Sequence, residues 1–376
     1  MRDYTNVRPG SLFAQFQHAF PGAASSRIMN IAKGEMQTKF MSVGKLKPAQ
    51  CPAGIARALG ASLFACAIFG WSAAALSQSY PAKPVRVIVP LAAGGPTDVL
   101  ARTISQNLAE TWGQGVVIDN RPGANTNIGT VAVAKSAPDG YTLLMTVNNL
   151  TINPSFYQNV PFEPLKDFAP ITLFATSPLI LVVHPSVTAR SVKELIALAK
   201  ARPRELFFGS PGNGSPPHLA GEMFNTIAGV KLVHVPYKGI TGAVSDLIGG
   251  QLALMFPGSP IALPQAKAGK LRALATTSAK RTPTAPELPT IVEAGLKGYE
   301  VSLWYGLLAP ANTPQAIVQR LHGEVTRIIA LPAVREQWAV LGAEPVSTTP
   351  EQFSAFIKDD IVKWQKVIRD SGAKMD

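Results

Sequence analysis

The sequence has 376 residues, a formal net charge of +12 and 47% hydrophobic residues. That apolar content excludes a disordered chain, and the length suits one large domain or two ordinary ones. Residues 1–77 carry eight basic and two acidic residues, a net +6 that leaves +6 for the rest; this mild excess, without basic runs, argues against nucleic-acid binding.

Residues 1–44 show neither period nor core pattern, and Met36 and Met41 are alternative starts. Residues 45–77 read as a secretory signal peptide. Lys45, Lys47 and Arg57 form a positive front, and an apolar stretch fills 58–76. Ala75 and Ser77 are the small residues a signal peptidase requires, which places the cut before Gln78. A retained membrane anchor is the competing reading, because the stretch approaches the roughly 20 residues that span a bilayer. Its richness in Ala, Gly and Ser favours cleavage. Both cysteines, Cys51 and Cys66, lie in this leader, so disulfide and thiol chemistry are not expected of the exported chain. Leu63 and Ala65 suit a lipid-attachment signal at Cys66, but Phe64 is too large for it and the apolar run continues.

Beyond Tyr80, short β-rich runs alternate with helical patterns. The run at 85–91 is continuously apolar, as expected of a strand covered on both faces. Leu100, Ile104 and Leu108 recur every fourth residue and predict an amphipathic helix over 99–112. A strand at 115–120, a short helix near 128–135, a Pro-Asp-Gly turn at 138–140 and a strand at 141–147 follow. This alternation predicts parallel pairing through right-handed crossovers. Next come a long apolar run at 171–185 broken by Pro178, a helix at 192–202 and a strand at 205–210. A helix at 218–229, a strand at 230–237, a helix at 243–250 and strands at 252–256 and 271–277 continue the rhythm. The segment 302–310 is apolar and extended. Helices at 313–330 and 349–372 close the chain, the last opened by Thr349, Pro350 and Glu351.

Two parallel α/β sheets account for these elements. After the 1–77 leader, the division predicts lobe I from 78–179 plus 303–376 and lobe II from 180–302. The crossings fall at 177–185 and 302–310.

Ligands of such sheets sit at the carboxyl ends of strands, where helix-start N–H groups point outward. Two loops fit. Residues 91–98 join a buried strand to an amphipathic helix. Gly94 and Gly95 allow close backbone approach, Pro96 stiffens the entry, and Thr97 or Asp98 can cap the helix. A carboxylate would meet free N–H groups there without an arginine. The alternative is a plain tight turn in which Asp98 is a structural cap. Residues 209–218 form the second loop, with hydroxyls at Ser210 and Ser215 and flexible amides at Gly212 and Gly214. His218 opens the following helix, either as a ligand donor or as a local cap.

No G-x-S-x-G elbow, H-E-x-x-H or Walker lysine loop occurs. His184, His218, His234 and His322 are scattered singly. Glu194, Glu222 and Asp246 read as solvated helix faces, and Trp304 and Trp338 as packing residues.

The strings PLAAGGPTD with a later AR (90–102), DNRPGANTNIGT (119–130), PDGYTLL (138–144), GSPGNGSPPHLAGEMF (209–224) and HVPYKG (234–239) stand in this order. With ELPTIVEAG (287–295) and LGAEPVSTTPEQF (341–353), they resemble the Bug/TctC family of tripartite tricarboxylate transporter substrate-binding receptors. The resemblance covers about 80–372. It implies an α/β, two-lobed periplasmic-binding-protein type II fold with the ligand cleft between lobes. It also implies a periplasmic receptor, not an enzyme, that delivers a small organic carboxylate to membrane transporter subunits, as a monomer and with no cofactor or metal. By resemblance, Ala93, Gly94, Gly95, Thr97 and Asp98 fall on the first ligand loop. Ser210, Gly212, Asn213, Gly214 and Ser215 fall on the facing one, with His218 beside them. Three positions depart from the family pattern. Ala92–Ala93 replace two prolines, Asn125 and Thr126 replace two glycines, and Pro257 stands where many members carry Asp. The last change argues against an amino-acid ligand. Two other readings stay open: a ligand-sensing accessory to a membrane kinase, and a periplasmic α/β enzyme acting on carboxylates.

Overall fold

The structure is a computed structural model that describes residues 80–374. The signal peptide expected at 45–77, the expected cleavage before Gln78 and both cysteines fall outside the described residues.

The first sheet begins with β1 (Val85–Val89), α1 (Pro96–Trp112) and β2 (Val116–Asn120). Helix α1 starts on a proline, whose missing N–H has no helical partner to lose there, and stops at Gly113 in the left-handed region. It buries Leu100, Ile104 and Leu108. A single 3₁₀ turn, Ala124–Thr126, leads into α2 (Asn127–Ala134); β3 (Thr142–Val147), α3 (Asn149–Phe156) and the short α4 (Pro164–Asp167) follow. The sequence pattern does not announce α3. Its period is hidden because Asn149, Thr151 and Asn153 are buried alongside Leu150 and Ile152.

The long apolar run divides at Leu179 into β4 (Phe168–Pro178) and β5 (Ile180–Val183). The second sheet then takes α5 (Val192–Ala201), β6 (Phe207–Ser210), α6 (Pro216–Ala228), β7 (Val233–Pro236), α7 (Ile240–Ile248), β8 (Leu254–Met255), α8 (Ser259–Lys267) and β9 (Arg272–Thr276). The return strand β10 (Ser302–Pro310) precedes α9 (Gln315–Ile329), α10 (Pro332–Val340), β11 (Glu344–Pro345) and α11 (Pro350–Ser371). A full capping box on Thr349 and Gln352 starts α11.

Strand order is β11-β4-β10-β3-β1-β2 in the first sheet and β7-β6-β8-β5-β9 in the second. The expectation of two purely parallel sheets needs correction. β1, β2 and β3 are parallel, and so are β6, β7 and β8. β10, however, runs antiparallel to β3 and β4, and β5 antiparallel to β8 and β9. The reason is the double crossing: a strand arriving from the other sheet enters at the carboxyl edge and must run backwards.

At the crossing, Leu179 and Thr277 are cross-tied. The Thr277 N–H and hydroxyl both donate to the Leu179 carbonyl, and the hydroxyl also donates to Val301 O at 2.6 Å. The Leu179 N–H donates back to Thr277 Oγ1. Helix α11 braces both sheets from outside. Its Phe353 and Ile357 pack with Ile88 and Leu144 of the first, and its Trp364 packs with Phe224 and Leu254 of the second. Between them, buried Asp360 accepts hydrogen bonds from Thr151, Trp304 Nε1 and Trp364 Nε1.

Register places the two strand-to-helix loops. β4 leaves the first sheet at the carboxyl edge shared by β1, β2 and β3. β5 enters the second opposite the end of β8, with Ile180 N–H donating to Pro257 O. The carboxyl edges of both parallel sets therefore lie at the same crossing.

Candidate functional site

The first loop leaves β1 at Pro90 and ends where α1 begins. Ala92, Ala93 and Gly94 are exposed, whereas Thr97 and Asp98 are buried. Gly94 has φ 82°, a conformation that glycine adopts without strain. Asp98 folds back under the loop. Its Oδ2 accepts from Gly94 N–H at 2.9 Å and Arg102 Nε at 2.8 Å, and its Oδ1 accepts from Asn120 Nδ2 at 2.9 Å. Asn120 Nδ2 also donates to Leu91 O. Burial works against the charged form, but the hydrogen bonds from Arg102, Gly94 and Asn120 hold the Asp98 carboxyl below its ordinary range. Asp98 thus shapes the loop, and the Gly94 amide is already engaged. Among the described residues, the amides of Ala93 and Gly95 have no protein acceptor.

The second loop leaves β6 at Ser210 and ends at α6, where Ser215 caps by accepting from His218 N–H. Gly212 at φ 145° and Gly214 at φ 71° give it its sharp shape. Ser210 is fully buried. Its hydroxyl lies 2.7 Å from His234 Nε2, donates to Gly212 O and accepts from Gly212 N–H. A nucleophilic role does not suit a hydroxyl so enclosed. Ser215 Oγ also donates to Gly212 O, at 2.6 Å. Pro211, Gly212, Asn213 and Ser215 are partly exposed.

His218 is buried, and its Nδ1 accepts from Gly214 N–H at 3.0 Å. Its ring stacks on His234 with centroids 3.8 Å apart. Burial first, and the neighbouring His234 second, push His218 down to about 3. It is therefore neutral at pH 7, and its 3.8 Å approach to Glu222 is not an ion pair. Glu222 does not lie on a solvated face: it is mostly buried, and burial raises its carboxyl. Asp246 likewise has a partner, accepting from the Tyr237 hydroxyl at 2.6 Å.

A third part is an amide cluster between the two loops that sequence reasoning missed as a unit. Asn125 Nδ2 donates to Asn153 Oδ1, and Asn149 Nδ2 donates to Asn125 Oδ1. Asn153 Nδ2 donates to Asn125 O and to Asn127 Oδ1. The cluster holds Ala124, Asn125 and Thr126 at φ 46°, 51° and 78°, three non-glycine residues in the left-handed region. The available signal was the recurrence of asparagine at 125, 127, 149 and 153 among apolar neighbours.

These parts are linked by a run of buried contacts. Gly129 of α2 abuts Pro90 beside the first loop, the asparagines tie α2 to α3, and Phe156 at the end of α3 touches Gly214 and His218 of the second loop. The donors are backbone amides, side-chain amides and hydroxyls. The charged groups of Asp98, Arg102, Asp119 and Arg121 are engaged with one another. Among the described residues, no cluster of three metal-binding side chains occurs. A hollow of about 630 Å³, lined by Leu263, Lys267, Arg272 and Glu287, shares no residue with either loop and is an open surface feature of the second sheet.

The chain matches known proteins over most of the described residues. The tripartite tricarboxylate transporter family receptor pattern matches residues 100–373. Protein BugT of Bordetella pertussis is 39% identical over 308 residues, covering 81% of this chain and 94% of BugT. A structure of an R. palustris protein with adipate is 38% identical, with TM-score 0.71, covering 79% of this chain and all of that one. MatC from Rhodopseudomonas palustris with bound malate is 30% identical, with TM-score 0.66, covering 77% of this chain and all of MatC. The periplasmic binding protein BugD is 36% identical, with TM-score 0.68, over 79% of this chain and all of BugD. The chain therefore belongs to the Bug/TctC family of tripartite tricarboxylate transporter receptors, periplasmic solute-binding proteins of two-lobed α/β fold.

Proposed function

We propose that this protein is a periplasmic receptor for a small organic carboxylate, which it holds between the loops at 92–97 and 211–215 and delivers to the membrane subunits of a tripartite tricarboxylate-type transporter. The observation that carries this reading is that two strand-to-helix loops, rich in neutral donors, leave the carboxyl edges of the two parallel sets on the side where the chain crosses between the sheets. Open amides at Ala93 and Gly95 next to a helix start suit an anion. Asp98 acts beneath the loop as a brace. His218 acts in the same way from inside the second loop, through Gly214. Adipate and malate in two relatives support a dicarboxylate-sized ligand. The buried Ser210 favours binding over turnover.

The test is a thermal-shift screen of C4–C6 mono- and dicarboxylates, followed by calorimetric titration of the hits. Ligand binding to the native state alone raises the melting midpoint by mass action. One site per chain with unchanged ligand recovered afterwards supports the proposal. Conversion of the acid, or no binding by any carboxylate, contradicts it.

A further inference from the structure

Thr126 combines a strained backbone with a buried, unpartnered hydroxyl. It is β-branched yet sits at φ 78°, ψ −11°, where only residues without a crowded Cβ are at ease. It is the N-cap of α2, but its side chain caps nothing. Its Oγ1 is buried without a hydrogen-bond partner, and the whole residue is only 3% exposed. Only its carbonyl is occupied, accepting from Thr130 Oγ1. Glycine would remove both the strain and the unpartnered hydroxyl.

Position adds to this. Thr126 follows β2 at the carboxyl edge of the first sheet. The asparagine cluster grips Asn125 and Asn127 on either side of it, and one turn later Gly129 rests on Pro90 at the root of the first loop. Other buried unpartnered hydroxyls lack this combination. Ser105, Ser155 and Ser259 lie within α1, α3 and α8 and Thr146 within β3, none of them in the left-handed region. At Thr126 the local sequence accepts an unfavourable backbone and an unsatisfied polar atom at one point, beside the loop proposed to take the anion.

We propose that Thr126 is a specificity-determining residue whose hydroxyl donates to a carboxylate oxygen of the bound ligand, and that it selects dicarboxylates over monocarboxylates of equal length. The inference rests on the carboxylate-receptor reading given above. The neutral hydroxyl at the start of α2 acts as a second anchor, while the amides of Ala93 and Gly95 take the first carboxylate. No bond is made or broken, and the ligand leaves unchanged.

The experiment is calorimetric titration of the wild type, Thr126→Ser, Thr126→Val and Thr126→Gly with adipate and with hexanoate, beside melting curves without ligand. Valine keeps the branched shape and the strain but lacks the hydroxyl, serine keeps the hydroxyl, and glycine relieves the backbone. The expected wild-type preference for adipate is tenfold or more. Thr126→Val and Thr126→Gly should bring it close to parity, and Thr126→Ser should keep most of it. Without ligand, Thr126→Gly should melt no lower than the wild type, which separates loss of selectivity from loss of folding. A wild-type preference that persists in folded Thr126→Val and Thr126→Gly overturns this inference and leaves the receptor reading standing. A wild type that binds neither acid nor any other carboxylate overturns both.

Discussion

Gly214 lies against Phe156: a Cβ built on the glycine would stand 2.7 Å from Cδ1 of the ring. This contact joins the second loop to helix α3 and, through the asparagine cluster, to the first lobe. Gly214→Ala therefore meets a double obstacle, a left-handed backbone at φ 71° and a ring that must move. The backbone penalty is about 1 kcal/mol, and overpacking adds roughly 1–3 kcal/mol. Denaturant melts should show a loss in that range, and titration of a bound carboxylate should show affinity falling by tenfold or more. Alanine at Gly298, where φ is 80° but nothing stands within 4 Å, is the control and should leave affinity unchanged.

Asp98 is predicted to matter through the loop it shapes. In Asp98→Ala the Gly94 N–H, the Asn120 amide and the Arg102 guanidinium lose a shared acceptor. Losing a buried acceptor of this kind costs about 1–3 kcal/mol. The variant should fold with a lower midpoint and bind at least tenfold more weakly. Arg102 is exposed and its ion pair with Asp98 is screened by solvent, so Arg102→Gln should lower the melting midpoint far less than Asp98→Ala and change affinity little.

Acid should loosen the second loop before the rest of the protein. His218 in the folded state is held down to about 3, against an ordinary value of 6.5. The unfolded chain therefore binds more protons between these values, and stability rises with pH across that window. The contribution is complete above about pH 6.5 and is lost as the pH falls toward 3, by at most about 1.4 kcal/mol per unit. Protonation of Nδ1 also removes the acceptor of the Gly214 N–H. Equilibrium unfolding from pH 7 to pH 4 should show this slope, and His218→Gln should flatten it. Asp98, held below its ordinary range, adds its own loss only at lower pH.

Asn153 is fully buried and serves two neighbours at once. Asn153→Leu should strand Asn125 Nδ2, the Asn125 backbone carbonyl and Asn127 Oδ1, at a cost of about 1–3 kcal/mol for each unsatisfied group. Released from this brace, the left-handed run at Ala124–Thr126 should relax. Ligand affinity should fall with stability, and amide exchange at 124–128 should speed up. Unchanged exchange there would show that the cluster does not hold the turn.

Much of the fold was legible because its strongest signals are local. The four-residue spacing of Leu100, Ile104 and Leu108 and the Thr349–Gln352 start need no tertiary information. The backward strands were not legible, because direction in a sheet depends on how a strand is reached, and nothing in the apolar run at 171–185 marks the change of sheet at Leu179. Helix α3 was missed because buried asparagines break its pattern. The two loops were legible from glycine spacing, but the inward turn of Asp98 and the stacking of His218 on His234 were not. Those arise from partners at Asn120 and His234, 22 and 16 residues away.

The central claim is that main-chain amides at two strand ends hold a carboxylate. A crystal structure of the protein with adipate or malate tests it most directly. The account predicts one ligand at the crossing, with a carboxylate oxygen about 3 Å from the Ala93 and Gly95 nitrogens and the 211–215 loop closing from the other side. A ligand held by a lysine or arginine side chain, or seated in the hollow lined by Leu263, Lys267 and Arg272, would contradict it.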